Sequence, residues 1–285
     1  MAKNNACRRL RRGGKHSRRT SQWFRPVLRW GALLVWIALL GWFCIWALGL
    51  FPQRTPEKQE QPAREEFRPE VGEPPYIIAV DAGHGGTDPG AIGIVEERQM
   101  TAQTAEALCA LLEKDPSYIP VHTRDSYDVT AKPSERAEYA NRQTPDLLLS
   151  IHGNSAPEGS EASGFECYPA VPGRTWHQES YFFAQLLAEG MNAAGASLRG
   201  SGGIRYIYYL ENGEKKIVET NYAAIREERS FTILEDVTCP AVLAEQCFVT
   251  NESDVERFGT EEGCQRAAQI YYEAICRYFG TQAIL

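Results

Sequence analysis

The sequence predicts an α/β domain: a mainly parallel sheet with helices on both faces, preceded by one N-terminal transmembrane helix and a linker. Three observations lead there. Beyond residue 75, short apolar runs of strand length alternate with longer stretches whose apolar residues recur at helical spacing, as in strands joined by crossover helices. The runs at 76–81 and 146–152 are apolar with little polar alternation, as strands covered on both faces must be. Residues 30–51 form a single uncharged apolar stretch directly behind a block of cations.

The N-terminal end comes first. Of the 30 Lys and Arg, ten lie within residues 1–50, which hold no Asp or Glu. At about 1.5 Å per residue the 30–51 run can cross a hydrocarbon core of about 30 Å. Trp30, Trp36, Trp42 and Trp46 give it interfacial bulk. The cations at 1–29 place that tail in the cytoplasm and everything beyond residue 51 outside, as a single-pass membrane protein. Cleavage as a signal peptide near Ala47-Leu48-Gly49 is the competing reading, and would leave the domain secreted. Residues 52–75, rich in Pro and Glu, read as a solvated linker, so the folded domain is expected over 76–285.

Within that domain a strand at 76–81 leads into a Gly-rich loop. A helix over 97–114 carries Met100, Thr104, Leu108, Leu111 and Leu112 on one stripe. A strand at 119–123, a helix at 133–142 opened by Pro133, and a strand at 146–152 follow. Further strands are expected at 164–168, 231–234 and 241–247, with helices at 177–194 and 261–278. In such sheets function sits at the carboxyl ends of the strands.

Charge removes one class of partner. After the first 50 residues the chain carries 20 basic against all 37 acidic side chains, so polyphosphate would meet long-range repulsion and nucleic acid is not expected as a partner. Six of the eight Cys follow the apolar stretch (Cys109, Cys167, Cys239, Cys247, Cys264, Cys276), with no CxxC spacing to suggest a cysteine-ligated metal. Cys109 and Cys276 read as buried small apolar residues within helices.

Among the five His, His84 and His152 each fall at the end of an apolar strand, where a parallel sheet presents its site. Two imidazoles at one edge can ligate a metal, with an Asp, Glu or His as third ligand. Glu97 opens the next helix and can point back to that edge. The alternative is that both His are ordinary strand-end residues; spacing alone leaves the choice open.

A resemblance bears on it. The segments VDAGHGGTDPGAIG (80–93), TRD (123–125), ERAEYAN (135–141), LLLSIHGNSA (147–156) and PAVLAEQCFVTN (240–251) resemble, in order, the motifs of zinc-dependent N-acetylmuramoyl-L-alanine amidases. The resemblance runs from about residue 76 to the C-terminus. It implies that His84, Glu97 and His152 hold Zn2+ and that Glu245 serves as general base. The implied reaction hydrolyses the amide between N-acetylmuramic acid and L-alanine in the peptidoglycan of a bacterial cell wall. Glu97 is preferred to its neighbour Glu96 because Met100, Leu108, Leu111 and Leu112 then keep the family's apolar helix register. Two departures stand out: Arg98-Gln99 where the family usually has Lys-Asp, and Cys247 where it commonly has Gly. On the residues alone, a Glu inside Ala-Val-Leu-Ala-Glu-Gln-Cys-Phe is expected to be buried without a partner, which favours a chemical role for Glu245.

Other polar residues divide. Asn154 is read equally as a substrate contact or a loop residue, Arg136 as an ion-pair residue, His122 as an edge residue and His177 as a capping or surface residue. Residues 202–229 read as a surface hairpin and helix. The sharper alternative is an inhibitory lid, relieved by a protein activator acting on that segment. The non-catalytic readings are an inactive wall-binding or regulatory homologue and a membrane scaffold; loss of any of His84, Glu97, His152 or Glu245 would favour the first.

Overall fold

The computed structural model describes residues 36–43 and 67–284. The chain divides into two compact units, Met1–Arg64 and Glu65–Leu285. In the first unit, residues 36–43 are helical and exposed. No helix among the described residues is long and apolar enough to cross a membrane, and the 30–51 run lies mostly outside those residues.

The second unit is built on β1 (Tyr76–Ala82), buried along its length apart from the half-buried Ile77. Helix α1 (Glu97–Leu112) buries Glu97, Met100, Thr101, Thr104, Ala105, Leu108, Cys109 and Leu112, the three-and-four spacing of one helical face. Then come β2 (Tyr118–His122), α2 (Pro133–Asn141) with Pro at its start, and β3 (Leu147–Asn154). The short β4 (Glu166–Pro169) precedes the long α3 (His177–Ala193). A separate two-stranded hairpin follows, β5 (Arg205–Tyr209) with β6 (Lys215–Glu219), turning at Asn212-Gly213, a pair suited to tight hairpins. The chain closes through α4 (Thr232–Asp236), β7 (Ala241–Phe248), α5 (Glu252–Phe258) and α6 (Glu261–Phe279).

The five-stranded sheet has the order β2-β1-β3-β7-β4. Its β1–β2, β1–β3 and β3–β7 pairings are parallel and β4 joins antiparallel at one edge, so the expectation of a mainly parallel α/β sheet holds. Alternate residues serve opposite faces. Ile78, Val80, Leu147, Leu149, Val242 and Ala244 pack into a core with α1, α3 and α6. Ala79, Leu148, Leu243 and Tyr168 face α2 and α4.

Three sequence expectations change. The run at 231–234 is no strand: Phe231 is the N-cap of α4, and Ile233 and Leu234 are buried within that helix. A four-residue run with three apolar positions is too short to tell a strand from a helical turn. Helix α5 was not anticipated, although Asn251 caps it by accepting the Asp254 amide proton, as a helix-start signal should. The end of the expected linker also packs on the body: Phe67 meets Phe182 edge-on at 6.3 Å, and the Tyr76 hydroxyl donates to the Gly72 carbonyl.

Candidate metal centre and active site

The carboxyl ends of β1, β3 and β7 lie side by side, and there the structure assembles a cluster of charge. His84 sits on the loop after β1 with φ +63°, a left-handed conformation unusual for a residue with a Cβ. Its Nδ1 lies 2.9 Å from Asp88 Oδ2. A carboxylate only accepts, so that nitrogen carries the proton and Nε2 is turned inward. Arg124, the arginine of the TRD motif, donates to the carbonyls of Ala82 and His84 and braces this loop from below.

Glu97 is the first residue of α1 and 3% exposed. Its carboxylate accepts the backbone N–H of Ala91 (2.8 Å) and of Gly153 (2.9 Å), and reaches His84 Nε2 (3.1 Å) and His152 Nδ1 (3.0 Å). The helix N-terminus favours its negative charge. Glu96 turns away to pair with Arg98, so the helix selects between the two neighbouring carboxylates. His152 occupies β3 where its register with β7 slips between His152 and Asn154, an irregularity of the kind that re-aims side chains. The two imidazoles stand edge-on, 5.0 Å apart.

Space is cleared for these groups by glycine. A Cβ on Gly83 would come 2.6 Å from His152 Nδ1. One on Gly90, at φ +65°, would come 2.6 Å from both Glu97 Oε2 and the His84 ring.

One carboxylate is thus shared by two imidazoles. Burial alone would raise Glu97, but the hydrogen bonds from His152 and His84 hold it well below the usual carboxylate range. Burial also opposes a charge on His84, yet the Glu97 and Asp88 carboxylates outweigh it and lift His84 to about 9. His152 is more deeply set, and burial keeps it below the ordinary imidazole value despite Glu97. His84 therefore holds the extra proton and His152 is neutral.

Glu245 lies on β7 directly opposite His152 on β3 and opposite Glu166 on β4. The residue is half-buried, but its Oε2 is shielded from solvent and has no hydrogen-bond partner, as the apolar run around it suggests. Burial, then the charges of Glu97 and Glu166, push it up to about 8. Glu166, 2% exposed, is held by Arg205 (2.7 Å), Arg199 (3.3 Å) and the Asn154 amide (2.5 Å). Arg205 also grips Glu219 of β6 at 2.8 Å, which ties the hairpin to this edge of the sheet.

Among the described residues, His84, Glu97 and His152 are the one group of three drawn from His, Cys, Asp and Glu whose donor atoms are close enough to share a metal ion, all within 4.8 Å of one another. No carboxylate of 202–229 joins them; Glu219 is taken by Arg205 and the Ser201 amide. Two imidazoles, one buried carboxylate and a carboxylate behind the first imidazole are the donor chemistry and the supporting shell that zinc takes. The residues present fit that ion.

A family model described as N-acetylmuramoyl-L-alanine amidase matches residues 78–277. The chain belongs to that amidase family. Among curated amidase relatives, AmiC of Escherichia coli O6:H1 is 26% identical over 80% of this chain, which spans 59% of AmiC. An uncharacterised Bacillus subtilis protein, YqiI, is 28% identical over 76% of this chain and 90% of its own length. Among solved structures, the catalytic domain of the CwlV amidase from Bacillus (Paenibacillus) polymyxa var. colistinus superposes with a TM-score of 0.57 at 26% identity, covering 73% of this chain and 99% of that one.

Of the residues singled out from sequence, this amidase brings His84, Glu97, His152 and Glu245 to one edge. Asn154 stands beside them as a partner of Glu166. Arg136 is structural: with Thr123 and Ser150 it neutralises the buried Asp81. His122 is on the edge strand β2, and His177 opens α3 with its Nδ1 2.7 Å from the Ala170 carbonyl oxygen. Asp88 and Glu166 are site residues beyond the sequence expectations. Asp88 was legible as the acid four residues after His84; Glu166 gave no signal in a short mixed strand. All six described cysteines are free and buried.

Proposed function

We propose that this amidase hydrolyses the amide bond between N-acetylmuramic acid and L-alanine in peptidoglycan, with Zn2+ held by His84, Glu97 and His152 and with Glu245 as general base. The observation that carries the reading is the pairing of a three-donor cluster with a shielded, unpartnered carboxylate on the adjacent strand. When bound, zinc supplies Lewis-acid polarisation of the carbonyl and makes water acidic enough to lose a proton near neutral pH.

The chain's own groups do the rest. Asp88 fixes the His84 ring, and the Ala91 and Gly153 amides fix Glu97, so the donors are oriented before an ion arrives. His84 gives up its extra proton to accept one. Glu245, with an affinity for protons matched to neutral pH, takes a proton from the attacking water and returns it to the leaving nitrogen of L-alanine. A protein activator acting on 202–229 would reach this edge through the Arg205–Glu166 pair. The apolar 30–51 run anchors the amidase domain outside the cytoplasmic membrane in this reading.

The test is incubation of the full chain with purified peptidoglycan. New L-alanine amino termini should appear, cease with a chelator and return with zinc. Release of reducing sugar ends without those termini, or release indifferent to chelation, would refute the reading.

A further inference from the structure

Cys109 of α1, His122 of β2 and Tyr127 of the loop after β2 have no part in the chemistry above, yet they meet. Cys109 Sγ lies 3.8 Å from His122 Nδ1, and the Tyr127 hydroxyl lies 2.8 Å from the same nitrogen. The thiol and the phenol thus flank the same imidazole nitrogen. The thiol is 3% exposed, while His122 on the edge strand is open to solvent. Glu106 of α1 and Glu113, just past the end of that helix, lend negative charge around the thiol, and the Arg124 guanidinium, 5.9 Å from the Tyr127 ring centre, is the opposing cation.

We propose that Cys109, His122 and Tyr127 form a second cation site, selective for a thiophilic divalent ion of the zinc class and separate from the His84 centre. The spacing suits it. Metal–sulfur and metal–nitrogen bonds of about 2.3 and 2.0 Å at a tetrahedral angle set sulfur and nitrogen about 3.5 Å apart, a few tenths of an ångström inside the 3.8 Å observed. The Tyr127 oxygen needs to withdraw by roughly half an ångström to reach bonding geometry. On binding, the thiol releases its proton to solvent and ligates as thiolate, His122 ligates through Nδ1, and the phenol oxygen donates a lone pair. Solvent at the exposed imidazole side completes the set.

The site has a mechanical connection. The Tyr127 carbonyl accepts the Gly86 amide proton, and the Thr130 hydroxyl binds Thr87. An ion that fixes Tyr127 therefore steadies the loop that carries His84.

Cadmium tests this directly, because the His84 centre contains no sulfur and a thiolate-to-cadmium charge-transfer band in the ultraviolet reports only a cysteine ligand. Titration of the full-length, zinc-loaded chain with Cd2+ should raise a saturable band. That band should persist in Glu97→Gln, fall away by about one equivalent in Cys109→Ser, and need at least about tenfold more cadmium in His122→Ala. No band, or a band unchanged in Cys109→Ser, overturns the proposal. Should Cys109→Ser not fold, His122→Ala and Tyr127→Phe decide: unchanged cadmium affinity in both overturns it, and weakened affinity in His122→Ala upholds it. Neither result depends on amidase activity.

Discussion

Asp81 and Glu245 are both carboxylates set in the central sheet, one near the end of β1 and the other near the end of β7, and their surroundings differ in one respect. Asp81, fully buried, is met by the Arg136 guanidinium, the Thr123 hydroxyl (2.5 Å) and the Ser150 hydroxyl (2.7 Å), with Arg124 at 3.8 Å. Burial would raise it, but Arg136 and the two hydroxyls outweigh that and hold it below its ordinary range. Glu245 has carboxylates for neighbours, an oxygen with no partner, and a proton affinity raised to about 8. The same functional group is a structural bolt where its charge is answered and, where it is not, has the raised proton affinity that the proposed acid–base role calls for.

The contrast can be broken from either side. The largest effect should come from Glu97→Gln, which is expected to lose bound zinc by metal analysis and with it all measurable peptide release. Glu245→Gln should keep its zinc and its melting temperature while turnover falls by about 10²–10⁴-fold. Asp81→Ala should show the reverse: about 3–5 kcal/mol lost in denaturant unfolding, because Arg136 is left buried and unanswered. If Asp81→Ala were as stable as wild type, the distinction between the two carboxylates would collapse.

A pH experiment sharpens the same point at the metal centre. In the metal-free chain His84 holds a proton up to about pH 9, and zinc must displace it. The proton favours the metal-free form, so raising the pH favours binding. Apparent zinc affinity, measured against a competing chelator, should rise about tenfold per pH unit from 7 towards 9 and then level off; a flat profile would mean that His84 is already neutral. The smallest effect is expected at the surface. Arg277→Ala removes a pair with Glu189 in which both side chains are more than half exposed, and should change stability by less than about 1 kcal/mol.

Much of this was legible in the sequence because the sheet is covered on both faces. Runs such as Leu147-Leu148-Leu149 can be read as strands, and the polar residues that end them, His84 and His152, then fall at one edge by topology. The choice of Glu97 over Glu96 followed from helix register, and the structure turns the first inward and the second towards Arg98. What escaped depends on contacts between distant segments. Phe231 and its neighbours have the composition of a strand but are docked as a turn of helix against α2. Glu166 became significant only once β4 was known to pair antiparallel with β7, which sets it opposite Glu245. No local pattern encodes that register.

Gly83 and Gly90 carry a consequence for anyone who would transplant this centre. Each is small because a donor from elsewhere in the chain fills the room its own side chain would need. The loop is therefore a casting of its neighbours as much as a motif in its own right. Grafted onto the strand end of an unrelated protein, it would arrive with the hollows but without the imidazole and carboxylate that fit them, and the host would have to furnish both together.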